Sequence, residues 1–267
     1  MKYQRKQKIT QYLMQNGSAS ISELSKLCDI SEMTVRRYLN ELKEDIGIEL
    51  KRGGAVYPFA TGEIPFQYKL MKGYELSVKR KLAQFAVNKY VKDNMIICLE
   101  GGTTVRCVSD YLSPYKSLTI FSNGVNTIAS LYNITPSSIV ICSGGILRPV
   151  NNTLVGPVAV NFFKNYNADI GFFSSIGLTL ENGFTDADVM ECQIRNDMSH
   201  ICEKTIIITT SDKIGVRSAS TTFRFDEVDV WITDSNAPAE FVKQIKAKGI
   251  ETHVVDISDL DIHCDEE

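Results

Sequence analysis

The sequence has no Cys-x-x-Cys pair, and its three histidines, His200, His253 and His263, stand far apart in the chain. No stretch has the ligand spacing of a zinc site, so no metal is expected. No apolar run approaches the roughly 20 residues that cross a bilayer. The opening residues, Met1-Lys2-Tyr3-Gln4-Arg5-Lys6-Gln7-Lys8, lack an apolar core and are not read as a secretory signal. There is no internal repeat and no low-complexity tract. The seven cysteines, an odd number, sit mostly inside apolar runs, as Cys98, Cys142 and Cys202 do. Reduced, buried thiols in a cytoplasmic protein are the simplest account of them. A hydrophobic content of 43% with 23% charged residues describes a soluble globular chain, and 267 residues suffice for two domains.

Charge is unevenly spread. Residues 1–57 hold ten basic and seven acidic side chains, a net +3, against −3 for the whole chain, which leaves −6 for the remainder. A basic head on an acidic body suits a head that meets a polyanion. Within that head, Ser20-Ile21-Ser22-Glu23 has the form of a capping box. Ile21, Leu24, Leu27 and Cys28 make the apolar side of a short helix. After a tight turn at Asp29-Ile30, Ser31 can cap a second helix whose Val35, Leu39 and Leu42 fall in one stripe. The opposite face carries Glu32, Met33, Thr34, Arg36, Arg37 and Asn40. Adjacent arginines alone usually mark a solvated face. Behind a capped helix and a short turn they form a helix-turn-helix signature, with hydroxyl and guanidinium donors for phosphates and base edges.

The chain then lays out as follows. Residues 2–15 read as a helix with Ile9, Tyr12 and Leu13 inward, ended at Asn16-Gly17. Ile48 to Arg52 and Ala55 to Tyr57 flank Gly53-Gly54 as a small hairpin, a wing with Lys51 and Arg52 at its DNA side; the plainer reading of both is solvated strand-edge charge. Pro58, Thr61-Gly62 and Pro65 mark a linker, and residues 68–92 read as a charged helix with Leu82, Phe85 and Ala86 on one side. The expected domains are a winged helix-turn-helix at 1–57, a linker at 58–75 and an α/β body at 76–267. In the body, apolar runs at 95–99, 118–121, 139–142, 170–174, 205–209, 228–233 and 252–255 alternate with helix candidates at 104–112, 124–132, 156–166, 187–203 and 237–248. That alternation predicts a doubly wound, mostly parallel sheet covered on both faces.

Ligands of such sheets bind beyond the carboxyl ends of the strands. Here those ends are Glu100-Gly101-Gly102-Thr103-Thr104, Ser122-Asn123-Gly124, Ser143-Gly144-Gly145, Ser174-Ser175-Ile176-Gly177 and Ser211-Asp212-Lys213. Each alone is ordinary turn chemistry. Converging, they offer amides and hydroxyls to an anion, with Lys213 as a point charge. Glu100 and Asp186 are candidate acceptors for sugar hydroxyls, and Arg148 is either an anion contact or surface charge. Asp186, Asp188 and Glu191 lie close enough for acid–base work. The preferred reading is instead that Asp186 caps the next helix while Asp188 and Glu191 favour its positive end. His263-Cys264-Asp265 reads as tail.

With these motifs in hand, the chain resembles the DeoR family of bacterial transcriptional regulators over essentially its whole length. The residues that carry the resemblance are Ser20 to Leu27, Ser31 to Arg37 and Arg52-Gly53-Gly54-Ala55 in the head. In the body they are Gly102-Thr103-Thr104, Ser122-Asn123-Gly124, Gly144-Gly145, Gly156, Gly183, Asp212-Lys213 and Ile232-Thr233-Asp234. The resemblance implies a winged helix-turn-helix on a double-stranded DNA operator, and a sensor similar to the ribose-5-phosphate isomerase fold. It implies a phosphorylated sugar or related metabolite bound without catalysis, no cofactor, and a homodimer or homotetramer. The residues so implicated are Ser31, Glu32, Met33, Thr34, Arg36, Arg37, Lys51 and Arg52 for DNA. For the effector they are Glu100, Gly102, Thr103, Thr104, Asn123, Gly124, Gly145, Asp186 and Lys213. The expectation is a cytoplasmic repressor of a carbohydrate operon; the alternative is a sugar-phosphate isomerase or transferase-like enzyme with an accessory head. The sequence departs from the family at Tyr38, where an acidic residue is usual, and at Glu100-Gly101-Gly102, where Asp, a small residue and Gly are usual. It also lacks an Asp-Gly-x-Asp-Glu run around Asp186, which counts against catalysis.

Overall fold

The computed structural model describes residues 5–6, 8–10, 12–13, 17–46, 48–56, 76–133 and 137–260. The chain divides into two compact units, 1–74 and 75–267. The linker read at 58–75, the first part of the helix read at 68–92, Tyr57 and the tail residues 263–265 lie outside the described residues.

In the first unit, residues 5–6, 8–10 and 12–13 are helical and bury Ile9 and Leu13. Gly17, at φ +72°, donates its amide to Leu13 O at 2.8 Å and turns the chain out of that helix. Strand β1 (Ser18–Ser20) leads into helix α1 (Ile21–Cys28). The capping box is formed in both directions: the Glu23 amide donates to Ser20 Oγ at 3.2 Å, and the Ser20 amide to Glu23 Oε2 at 2.7 Å. Asp29 adopts a left-handed conformation, φ 52°, which lets helix α2 (Glu32–Ile46) start three residues later. The wing is β2 (Glu49–Lys51) and β3 (Gly54–Val56), antiparallel, with β1 pairing on the far side of β3. That third strand was hidden in the sequence behind its role as the cap of α1. The Ile21 amide donates to Gly53 O at 2.9 Å, so the wing turn is tied to the start of α1. Ile21, Leu24, Val35, Leu39, Leu42, Ile48 and Ala55 close a single small core.

The second unit is built on seven parallel strands, one for each apolar run. After helix α3 (Leu76–Tyr90) come β4 (Ile96–Leu99), helix α4 (Thr103–Ser109), β5 (Thr119–Ser122), helix α5 (Val125–Ser130) and β6 (Ile139–Cys142). Hairpin β7 (Ile146–Arg148) and β8 (Thr153–Val155) leads to helix α6 (Pro157–Phe163) and β9 (Ala168–Phe173). Then follow β10 (Gly177–Thr179), β11 (Gly183–Asp186), helix α7 (Val189–His200), β12 (Cys202–Ile208), β13 (Ser220–Phe223), β14 (Val230–Asp234), helix α8 (Ala239–Ala247) and β15 (Glu251–Val255). The main sheet runs β15-β14-β12-β9-β4-β5-β6. Alternate side chains feed two cores. Ile97, Leu99, Phe172, Ile206, Ile208 and Ile232 join Leu82, Ala86 and Val105 of α3 and α4. Cys98, Phe173, Ile207 and Trp231 join Phe163, Ile194, Met198 and Ile245 of α6, α7 and α8. Burying each of the larger side chains contributes about 1.5–3 kcal/mol. The sequence did not reveal the antiparallel strands β10-β11-β13 beside this sheet, or the β7-β8 hairpin.

Strand order reverses at β4: the chain winds outward through β5 and β6, then returns to β9 on the other side. The crevice between the ends of β4 and β9 is therefore the switch point where doubly wound sheets hold ligands.

Candidate functional site

Helix α2 presents Ser31, Glu32, Met33, Arg36, Arg37 and Asn40 to solvent, with Thr34 half-buried. Ser31 Oγ accepts the Thr34 amide at 3.2 Å, which starts the helix and fixes that hydroxyl pair. Met33 is 81% exposed, an unusual fate for a large apolar side chain. Tyr38, at 3%, belongs to the head's core, and the Arg37 guanidinium lies 5.6 Å from its ring centroid. The departure from the family at Tyr38 is thus absorbed inside the unit and lends Arg37 a cation–π support. On the wing, Lys51 pairs with Glu49 at 2.5 Å and stays more than half exposed; Arg52 is exposed at the turn.

In the second unit the loops after β4 and β5 touch. A Cβ on Gly101 would stand 2.3 Å from Thr153 Cγ2 and 3.0 Å from Gly124 Cα, so only glycine fits there. Gly124 is held by its amide on Ser122 Oγ at 3.0 Å. Asn123 is buried and donates Nδ2 to Leu154 O at 3.3 Å, leaving Oδ1 unpartnered. Thr103 and Thr104 are buried at the start of α4, and Lys79 of α3, itself 3% exposed, reaches Thr103 Oγ1 at 3.3 Å. Lys213 pairs with Asp212 at 2.7 Å, and Asp212 also accepts from the Thr210 hydroxyl. Gly145, at φ +111°, is exposed, and its conformation is needed for a close backbone approach to Val155.

Two expectations need correction. Glu100 and Asp186 are not open acceptors. Glu100 Oε1 accepts from Ser174 Oγ at 2.5 Å and Oε2 from Arg195 Nε at 2.9 Å, while Arg195 Nη1 also pairs with Asp186. All three side chains are buried. Burial pushes the Glu100 carboxyl up, with Arg195 and Ser174 pulling it back; the two carboxylates hold the guanidinium firmly charged despite its burial. Nor does Asp186 cap α7. It lies on β11, and Asp188 is the cap, accepting the amides of Met190 at 2.8 Å and Glu191 at 3.4 Å. Asp188 also pairs with Arg148, which makes that arginine a brace between β7 and α7.

Residues 75–235 match the DeoR C terminal sensor domain, and residues 5–61 match the DeoR-like helix-turn-helix domain. The chain belongs to the DeoR family. It is 27% identical to the HTH-type transcriptional regulator IolR of Bacillus subtilis (strain 168), across 95% of this chain and all of that one. It is 28% identical to GolR of Listeria innocua, over 95% and 99% of the two chains. It is 23% identical to the glycerol-3-phosphate regulon repressor of Escherichia coli (strain K12), over 90% and 94%. Among solved structures, ribose 5-phosphate isomerase from Plasmodium falciparum is similar at 18% identity and TM-score 0.38, over 52% of each chain.

As a DeoR-family member the chain is a DNA-binding transcriptional regulator and not an enzyme. In this DeoR-family chain, sequence reasoning missed Arg195 and the buried Lys79. Arg195 had a detectable signal: it falls among Ile194, Met198 and Glu191 on the inward face of α7. Lys79 was masked by Arg80 and Lys81, which made its whole stretch look solvated. No helix of the described residues is long and apolar enough to cross a membrane. The open cavity of about 630 Å³ near Leu180, Asn182, Arg224 and Lys248 lies at the turn of the β10-β11 hairpin, the opposite end from Asp186.

Proposed function

We propose that this DeoR-family regulator is a cytoplasmic repressor of a carbohydrate-metabolism operon that releases its operator when a phosphorylated sugar binds the sensor. The working division is a winged head at 1–57, a linker at 58–75 and a sensor at 76–267. The observation that carries the DNA half is the solvent-facing set Met33, Arg36 and Arg37 on a capped second helix, with Arg52 on a wing tied to the first. Arg36, Lys51 and Arg52 suit phosphates, Ser31, Glu32 and Thr34 frame the helix start, and Arg37 and Met33 suit base edges.

For the effector, Gly102, Thr103 and Thr104, with Lys79 and Lys213, are the anion-binding set. Asn123, Gly124 and Gly145 shape the loops around it. The glycerol-3-phosphate regulon named in one relative agrees with a small phosphorylated polyol. Release requires two arrangements of the protein with different ligand affinity. A homodimer, alone or paired into a tetramer, would read half-sites about one helical turn apart or a multiple of it.

The test is a gel shift on the chain's own promoter at modest ionic strength, then thermal-shift screening of sugar phosphates and operator release with each hit. Equal affinity for promoter and random DNA would sink the operator reading. A screen in which no phosphate ester binds would sink the effector reading.

A further inference from the structure

Among the described residues, Glu191 Oε2 is a buried carboxylate oxygen without a hydrogen-bond partner. Its sister Oε1 is fully used, accepting from the Thr153 hydroxyl and from Asn151 Nδ2 at 3.3 Å. Thr153 is wedged against Gly101 and bridged to Gly124, in the layer where the loops after β4 and β5 meet. From the same loop, the buried Asn123 leaves Oδ1 unmatched. Two orphaned acceptors, one a carboxyl oxygen and one an amide oxygen, thus flank the β8 strand at the switch-point end of the sheet. Glu100 and Asp186, by contrast, already accept from Ser174 and Arg195. Burying an acceptor without a donor is costly, most of all for a charged one, and folds keep such groups where something else brings the donor.

We infer that Glu191 is the specificity-determining residue of the sensor: it accepts a hydrogen bond from a hydroxyl of a polyhydroxylated phosphate ester, and Asn123 Oδ1 accepts a neighbouring hydroxyl. This rests on the effector reading above and deepens it. The anion is held by the glycine-threonine loop and its lysines, and the hydroxyl pattern is read by two side chains that carry no positive charge. Arg195, one turn along α7, is a positioning residue whose hydrogen bonds go to the other two carboxylates, so that Glu191 Oε2 keeps no hydrogen-bond donor.

The experiment titrates the full chain on its operator with D-ribose 5-phosphate, D-glucose 6-phosphate, D-fructose 6-phosphate, glycerol 3-phosphate and inorganic phosphate. The tightest ester is then compared with its monodeoxy analogues. Wild type should lose about tenfold or more in affinity for at least one analogue, the worth of a hydrogen bond to a charged group. In Glu191→Gln, an isostere that keeps its carbonyl for Thr153 and Asn151, that ratio should fall severalfold toward one while inorganic phosphate competes as before. Glu191→Asp, with its carboxylate withdrawn by one methylene, should fall between. Discrimination preserved in both variants overturns the assignment, as does a wild type indifferent to every deoxy change, in which case water alone satisfies Oε2. If phosphate binds but no ester binds better, the hydroxyl assignment alone fails. If neither phosphate nor any ester binds, the effector reading fails and this inference with it.

Discussion

Arg195→Met offers the sharpest test of how the sensor unit is held together. Methionine keeps much of the aliphatic volume and deletes the charge that Glu100 and Asp186 share. Breaking a buried ion pair by removing one partner costs about 3–5 kcal/mol, because the survivor stays ionic in a dry site. Two carboxylates survive here, but Ser174 still donates to Glu100 at 2.5 Å, so the lower end, about 3 kcal/mol, is the working figure. For a unit the size of residues 75–267, that is about 6–12 °C in melting temperature. The chain's one tryptophan, Trp231, is buried in this unit and donates Nε1 to Thr209 Oγ1 at 2.8 Å. Urea unfolding followed by its fluorescence therefore reports the sensor without interference from the head. The deficit has a definite pH sign. Burial already raises the Glu100 carboxyl above its ordinary 4.5, and losing Arg195 removes the main force pulling it back. A raised carboxyl stabilises the folded state below the unfolded value and loses that contribution as pH climbs through the folded one. The variant should therefore be worse at pH 8 than at pH 5, and adding Glu100→Gln and Asp186→Asn should restore part of the loss. A deficit under about 1 kcal/mol at pH 8, or one equal at both pH values, would refute the charge argument.

Three further outcomes are expected. Arg37→Ala should weaken operator binding by about 1–3 kcal/mol and relax preference at one base position; an unchanged gel-shift midpoint would remove Arg37 from the interface. Lys213→Ala should raise the effector concentration for half-release by about tenfold, the worth of a charge-assisted contact, and a normal titration would relocate the phosphate. Gly101→Ala would drive a methyl into Thr153 and the Gly124 backbone, at a cost of about 1–3 kcal/mol. Wild-type stability in that variant would mean the two loops are not in contact.

The inner strands β4, β5, β9, β12 and β14 were readable because they are buried on both faces and so appear as largely apolar runs, while the edge strands β6 and β15, half exposed, were read from their place in the alternation. The helix-turn-helix was readable because its caps are local chemistry, as at Ser20, Glu23 and Ser31. The side sheet was not: Gly177-Leu178-Thr179 and Gly183-Phe184-Thr185-Asp186 are short, glycine-led and polar, and their burial comes from packing that sequence neighbours do not record. The same cause explains the exchange of roles between Asp186 and Asp188. Either can cap a helix on spacing alone, and only the position of Arg195 nine residues on decides which is drawn inward. Loop composition suggested strand ends that meet, and those after β4 and β5 do touch, but it could not say which carboxylates would be paired there.

Glu191 and Arg195 sit on successive turns of α7 yet answer to different constraints. Exchanging Arg195 requires concerted change at Glu100 and Asp186, so that trio should drift slowly. Position 191 hydrogen-bonds the protein through one oxygen only, toward Asn151 and Thr153, so an exchange there is matched by change at those two neighbours. Paralogues tuned to different metabolites are then expected to diverge together at 123, 151, 153 and 191, with the arginine and its two acids left in place, so that new regulators arise by retuning one patch of an otherwise fixed layer of loops.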